Sequence, residues 1–408
     1  MSGRYGISKE SVVKVGGASL LEGLQTVLFV GILVTSLLEQ TYFPEIVYLL
    51  SVIPATLLFG VIAVYTNSQI RIPKYGLVAY ATIWIIYLPH AILPTFEQFA
   101  LIRIPVFMMS SFILLFVVPQ RVPVERLFRT IFYVATGLAV FGLASLIPGI
   151  EQILDYPLTR TDAATTLPIT GELFEPLTSL MANPNQLAKI TAFGSIAGIT
   201  VYRQQRQPHH LLFLNIIFVT LVLTFSRGAV ISLVVGAVLL GLITYEGRNL
   251  AGIVAFGIIV GSVYTMLAVA GSLPDPLGIS AVFHYDRARM WSEAIERLKT
   301  SVLFGIGFQP LEGVVGKNNI HSAYVFVLLT RGVVGFAVHI AFFVLILRQL
   351  IYSRMTDQSA TLLALFIMWV ILMAFSSAVL FGFGFNAVWP SIIVGYSMLL
   401  GQQEKTEL

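Results

Sequence analysis

Between residues 271 and 331 the chain reads His284-Tyr285-Asp286-Arg287-Ala288-Arg289, runs on through Trp291 to Lys299, and closes with Asn318-Asn319-Ile320-His321. Arg287, Arg289, Arg297, Lys299 and Lys317 make this stretch cationic, as a site for an anionic ligand would be. Arg297 and Lys299 equally suit the solvated face of an amphipathic helix lying on a membrane surface with Trp291 as its aromatic anchor. Arg287 and Arg289 are the better ligand candidates. Arg227 stands in Thr224-Phe225-Ser226-Arg227-Gly228-Ala229, between two apolar runs with almost no loop. A charge at membrane depth costs a few kcal/mol, so such residues face a cavity, pair with an anion or snorkel to the interface. The planar fork of a guanidinium fits a diphosphate.

His321 precedes Ser322-Ala323-Tyr324 at the start of an apolar segment, and its imidazole can take up a proton near neutral pH. Upstream, Ala182-Asn183-Pro184-Asn185-Gln186 places a proline at the first helical position after an Asn cap. That leaves free amide donors, which suit an anion or a sugar, or else simply open a helix. Lys189 follows one turn later, and Arg103 also falls inside an apolar run; each could neutralise a phosphate or pair with a buried carbonyl. His284 is a second histidine candidate, His339 reads as structural, and His90, His209 and His210 are given no role. Carboxylates at Glu151, Asp155, Asp162, Glu172, Glu175, Asp275, Asp286, Glu293, Glu296 and Glu312 leave a paired-carboxylate hydrolase open. No His/Asp/Glu pair has metal-ligand spacing, so no metal and no cofactor is expected. The absence of cysteine excludes disulfides, thiolate clusters and cysteine nucleophiles.

The elements that must position these groups follow from composition. Of 408 residues, 57% are hydrophobic and 11% charged, against about 25% charged in soluble chains; the mean hydropathy is +0.88. The long apolar runs do not alternate as barrel strands would, so the predicted fold is an all-α integral membrane protein. At about 20 residues per span, helices are expected near 18–38, 45–65, 75–93, 98–118, 127–147, 184–202, 209–225, 228–245, 249–270, 332–351, 358–378 and 384–401. That makes about twelve transmembrane helices, the first retained as an anchor.

Alternate connections carry the cations: Arg4, Lys9 and Lys14; Arg71 and Lys74; Arg121, Arg126 and Arg129; Arg203 and Arg206; Arg248; Arg354; and Lys405. The positive-inside rule makes these cytoplasmic, with both termini. The opposite connections hold Glu39, Glu45 and Glu97 and become outer. Five sections result: helices 1–5 over residues 1–148, an outer loop over 149–183, helices 6–9 over 184–270, a large outer catalytic loop over 271–331, and helices 10–12 with a tail over 332–408. Chemistry is expected in the two long outer loops. No Walker-type loop appears, and nucleotide-activated donors are cytoplasmic, so an outward-facing enzyme must use a lipid-carried donor. A transporter or lipid-linked glycan flippase is the rival class; it would show two similar halves and charges at mid-membrane, and no internal repeat is seen.

Ser226-Arg227-Gly228-Ala229, the Arg289-to-Trp291 stretch leading to Gly305-Ile306-Gly307, His321-Ser322-Ala323-Tyr324 and Gly332-Val333-Val334-Gly335 together resemble the O-antigen ligase and polymerase superfamily, over about the last 55% of the chain. The family commonly has His-Asn where this chain has His321-Ser322, and often a Glu where it has Thr330 or Arg331. The resemblance implies a GT-C-like, inverting, metal-independent glycosyltransferase of the inner membrane with its site facing the periplasm or exterior. Such an enzyme moves a glycan from a polyprenyl (undecaprenyl) diphosphate to an acceptor hydroxyl. It implies catalytic roles for His321, Arg227 and Arg289, and substrate binding by Arg287, Asn183, Asn185, Lys189 and Tyr324. The implied partners are the lipid-linked oligosaccharide donor, a glycan or lipid A core acceptor, membrane lipids and a chain-length regulator, with no nucleic acid. Polymerase and ligase share these motifs. The spacing from Arg289 to Gly305 matches a pattern seen in some polymerases and tilts the reading that way.

Overall fold

A computed structural model describes the chain from Lys9 to Gln403 except residues 42, 67–68, 93–97, 148–149, 151, 154–155, 159–164, 167–172, 246–284, 308–319, 354–355, 377–379 and 381. The described helices are α1 (Lys9–Thr35), α2 (Glu45–Tyr65), α3 (Lys74–Ile92), α4 (Gln98–Phe112), α5 (Val118–Arg121), α6 (Val124–Ala144), α7 (Pro184–Gln205), α8 (Pro208–Leu223), α9 (Arg227–Tyr245), α10 (Tyr285–Leu298), α11 (Ala323–Tyr352), α12 (Asp357–Phe375) and α13 (Phe385–Gln403). A 3-10 turn, Ser36–Gln40, ends α1, and a π-turn, Ile113–Val117, joins α4 to α5. Among the described residues, seven helical stretches are long and apolar enough to cross a membrane, and three shorter apolar helices accompany them. The chain is an integral membrane protein built on helices. The predicted span at 249–270 lies outside the described residues. In the first long loop, Gln152–Ile153 pairs antiparallel with Tyr156–Pro157, and Thr165–Thr166 with Leu173–Phe174.

Burial ranks the helices. In α12, 89% of the apolar window is buried, against 28% in α2, so α12 is the axis and α2 a lipid-facing wall. α6 and α7 pack closely because Gly194 and Gly198, four residues apart on α7, face Ala135 and Phe132 of α6. Small residues at this spacing let helix backbones approach where lipid offers no hydrophobic drive to associate. Polar ties run between helices: Thr200 Oγ1 to Thr361 Oγ1 at 2.6 Å, and Tyr324 Oη donating to the Val370 carbonyl at 2.8 Å. Tyr396 Oη donates to the Val122 carbonyl at 2.7 Å. Each satisfies a group that would otherwise lie unpaired in a water-free interior.

α11 starts at Ala323, nine residues before the predicted span, because Ser322 caps it by accepting from the Val325 amide. It breaks at Gly332 (φ 63°, ψ −171°). Two carbonyls before the break, Leu329 and Thr330, accept from the Ile306 and Gly307 amides at 2.9 Å. Two amides after it, Val333 and Val334, donate to the Val302 and Leu303 carbonyls at 2.9 and 3.1 Å. The 302–307 segment thus takes the place of the missing helical turn, as an interrupted membrane helix requires.

The polar connections gather at two ends. At one, Gln120 bonds both to the Arg71 amide (2.8 Å) and to its carbonyl (3.0 Å), and Arg203 pairs with Asp357 at 2.9 Å. At the other, the Ala182 amide donates to the Gln40 carbonyl at 2.7 Å and the Ala323 amide to the Ser376 carbonyl at 2.8 Å.

Candidate functional site

At this second end lies a cavity of 330 Å³. Its floor comes from α7. Asn183 caps that helix, its Oδ1 accepting from the Asn185 amide at 2.8 Å, and Pro184 occupies the first helical position, where a missing N–H costs nothing. Asn185, Gln186 and Lys189 then follow within the first two turns and line the space. Lys189 is 4% exposed, and its Nζ donates to Asn386 Oδ1 of α13 at 2.9 Å. The sequence expectation for Lys189 left a phosphate or a buried carbonyl open; the bonded oxygen is an amide side chain, and the ammonium still borders the cavity.

A second wall is the residue ahead of α11. His321 borders the cavity with φ +54°, a left-handed conformation that histidine adopts more readily than most residues. Such backbone geometry persists only where the surroundings hold it. Here Trp291, fully buried on α10, donates from Nε1 to the Ile320 carbonyl at 2.8 Å, and Ser322 and Ala323 are anchored on the other side by the helix cap and by Ser376.

The third wall holds Glu39 and Gln40 of the 3-10 turn against Gly384 and Asn386. The Glu39 carboxylate lies against Gly384, occupying the room that a Cβ there would need. It interacts electrostatically with Lys189. Tyr48, Phe107, Phe375 and Phe383 add aromatic faces to the lining, the rings of Phe107 and Phe383 edge to face with centroids 4.7 Å apart. Amides, one ammonium, one carboxylate, one imidazole and aromatic faces form a set able to bind a polar, ring-shaped ligand carrying an anionic group.

Of the residues singled out in the sequence, His321, Asn183, Asn185 and Lys189 meet in this cavity. Arg227 opens α9 as an exposed residue; it is tied to the site through its neighbour Ser226, whose Oγ donates to Asn185 Oδ1 at 2.8 Å. Arg289 is exposed on α10, 3.6 Å from Glu293, two residues from the Trp291 that braces His321. Arg287 lies on the first turn of α10, with its side chain outside the described residues, as are the side chains of Arg103 and His90 and all of His284. Tyr324 does not reach the cavity: its ring is 1% exposed and its hydroxyl is committed to Val370. Arg297 lies exposed on α10 and Lys299 exposed in the turn after it, while the other face of α10 buries Met290, Trp291, Ala294 and Leu298. His339 is buried in α11, its Nδ1 donating to the Gly335 carbonyl at 2.7 Å while its Nε2 faces Arg331. His210 bonds Tyr133 at the opposite end of the bundle.

Sequence reasoning passed over Glu39, Gln40 and Asn386. Glu39 carried a signal, a lone acid closing an apolar run, and Asn386 another, a polar residue in the Gly382-Phe383-Gly384-Phe385 interruption. Neither reveals that the two line one cavity.

Comparison with known families adds one match. Residues 212–340, about a third of the chain, match the family model described as O-antigen ligase. The match contains Arg227, Arg287, Arg289, His321 and the Gly332 break, while the α1, α7 and α13 walls of the cavity lie outside it. No curated protein matches the chain.

Proposed function

From the O-antigen ligase family segment formed by residues 212–340, we propose that this chain is an inverting, metal-independent membrane glycosyltransferase that moves a glycan from a polyprenyl diphosphate to an acceptor hydroxyl. The observation that carries this reading is the cavity in which His321, from the family segment, meets Lys189, Asn183 and Asn185, from α7. Arg227 and Arg289 do not line it; Arg227 adjoins Ser226, which bonds Asn185 of the lining, and Arg289 lies two residues from Trp291, which bonds the Ile320 carbonyl ahead of His321.

In this reading the diphosphate is held by Arg227, Arg287 and Arg289, whose positive charge stabilises the negative charge that builds as the anomeric C–O bond breaks. The amides of Asn183 and Asn185 bind sugar hydroxyls, and Lys189 is a further substrate-binding group in the same cavity. His321 serves the acceptor hydroxyl as base or orienting partner. The cavity opens on the outer side of the membrane, because the Lys- and Arg-bearing connections collect at the other end. Our preferred acceptor is a second lipid-linked repeat unit, making a polymerase. The family description favours the second reading, a ligase acting on lipid A core.

The test is transfer in liposomes from a defined polyprenyl-diphosphate glycan, with and without chelator, with lipid A core and a second lipid-linked unit as competing acceptors. Lengthened lipid-linked chains that survive chelator support the polymerase; glycan on lipid A core supports the ligase. Alanine at Arg227 or at His321 is expected to slow transfer by about 10²–10³-fold with normal expression. Wild-type rates in both variants refute the assigned roles, and no transfer by folded protein returns a transporter to first place.

A further inference from the structure

Glu39 is the cavity's one carboxylate among the described lining residues, and the reading above leaves it idle. It lies on the wall made by the 3-10 turn and the start of α13, whereas the arginines assigned to the diphosphate ride on α9 and α10. Its seat is built for it: Gly384 supplies the room, and Lys189, held by Asn386 at 2.9 Å, supplies the opposite charge that a carboxylate away from water requires.

Two charge arguments fix what this carboxylate can do. A diphosphate is repelled by it, so the leaving group is disfavoured at this wall. An inverting displacement needs nucleophile and leaving group on opposite faces of the anomeric carbon, so the acceptor hydroxyl must approach from the side opposite the diphosphate. An ionised carboxylate accepts hydrogen bonds and donates none, which orients a hydroxyl with its proton towards the carboxylate.

We propose that Glu39 is the general base of the transfer, a role that rests on the glycosyltransferase reading above. The acceptor oxygen forms its bond to the anomeric carbon as its O–H bond breaks and the proton passes to Glu39. The electron pair of the anomeric C–O bond leaves with the polyprenyl diphosphate. His321 then orients the acceptor, and Lys189 balances the carboxylate before the proton arrives.

The experiment is the liposome transfer assay with Glu39→Gln and Glu39→Asp in the full chain, alongside binding of radiolabelled donor. The amide keeps the shape and loses the basicity, so E39Q is expected to lower kcat by about 10²–10⁴-fold with donor Kd within threefold of wild type. E39D keeps the charge one methylene short, and is expected to retain a turnover between the two. The titratable groups near Glu39 are Lys189 on α7, Glu45 on α2 and His321 ahead of α11. The wild-type pH–rate profile should therefore lose its acidic limb in E39Q and keep it in His321→Gln. An E39Q rate within threefold of wild type overturns the proposal, as does a loss confined to donor affinity. Should E39Q fail to fold, an E39D enzyme at wild-type rate overturns it equally. A wild-type protein that transfers nothing refutes instead the glycosyltransferase reading.

Discussion

Trp291 is fully buried, and its Nε1 donates to the Ile320 carbonyl one residue ahead of His321. The indole does two jobs: its ring fills the joint between α10 and the start of α11, and its one donor satisfies a carbonyl that has no water to turn to. Trp291→Phe removes the donor and also shrinks the buried ring. Leaving a buried acceptor unpaired costs about 1–3 kcal/mol, and the backbone at His321 loses the bond that holds its left-handed turn. The expected outcome is a lowered melting temperature in detergent and a transfer rate down by on the order of tenfold, since small misplacements of a catalytic group are expensive. Unchanged rate and stability would mean that packing alone positions His321. His321, Asn183 and Asn185 are legible in the sequence because they mark the polar starts of apolar helices, and Lys189 because it puts a charge inside one. Tyr324 passes the same filter and is a structural tie, because a phenol finds a carbonyl across a helix interface as readily as a ligand.

Elements, rather than residues, explain the glycines at 305, 307 and 332. All three have positive φ, and a Cβ on Gly305 would stand 2.5 Å from both the Gly332 nitrogen and the Leu329 oxygen. The broken α11 and the 302–307 segment are therefore one unit, held by four backbone hydrogen bonds that neither could make alone. Gly332 has ψ −171° with φ 63°, a region open essentially only to glycine. Gly332→Ala combines that strain with a collision against the Leu303 carbonyl, and is expected to destabilise by about 3 kcal/mol or more. Gly241→Ala on α9, where a Cβ meets nothing within 4 Å, is the matched control and should fold normally. Thermal unfolding of the two purified variants checks both. The sequence places these glycines near a helix start but offers no sign that one breaks a helix from within: the apolar run continues on both sides of Arg331-Gly332, and only the docked segment, nearly thirty residues upstream, makes the break affordable to the backbone.

At the scale of the whole molecule the chain contains no cysteine, so single cysteines can report topology without any background to remove. Glu45, exposed at the start of α2, belongs to the cavity end, and Gln207, exposed between α7 and α8, to the other. With the cavity outward, Glu45→Cys should react with an impermeant maleimide in intact cells, and Gln207→Cys only after the membrane is opened. The reverse pattern would put the site in the cytoplasm and remove the need for a lipid-carried donor.

Helices, their approximate ends and the cationic connections are determined by the sequence itself, because a membrane span must satisfy its backbone locally and about twenty apolar residues suffice to write it. Which helices face lipid and which face each other is not. α2 and α12 have mean hydropathies of 2.4 and 2.1, yet 28% of one window is buried and 89% of the other. Lipid and protein interior are equally apolar, so the outward face carries no polar stripe from which packing could be read. For that reason Glu39, near the start of the chain, and Asn386, near its end, meet around Lys189 only once the bundle has assembled, and that meeting is what turns scattered polar residues into a site.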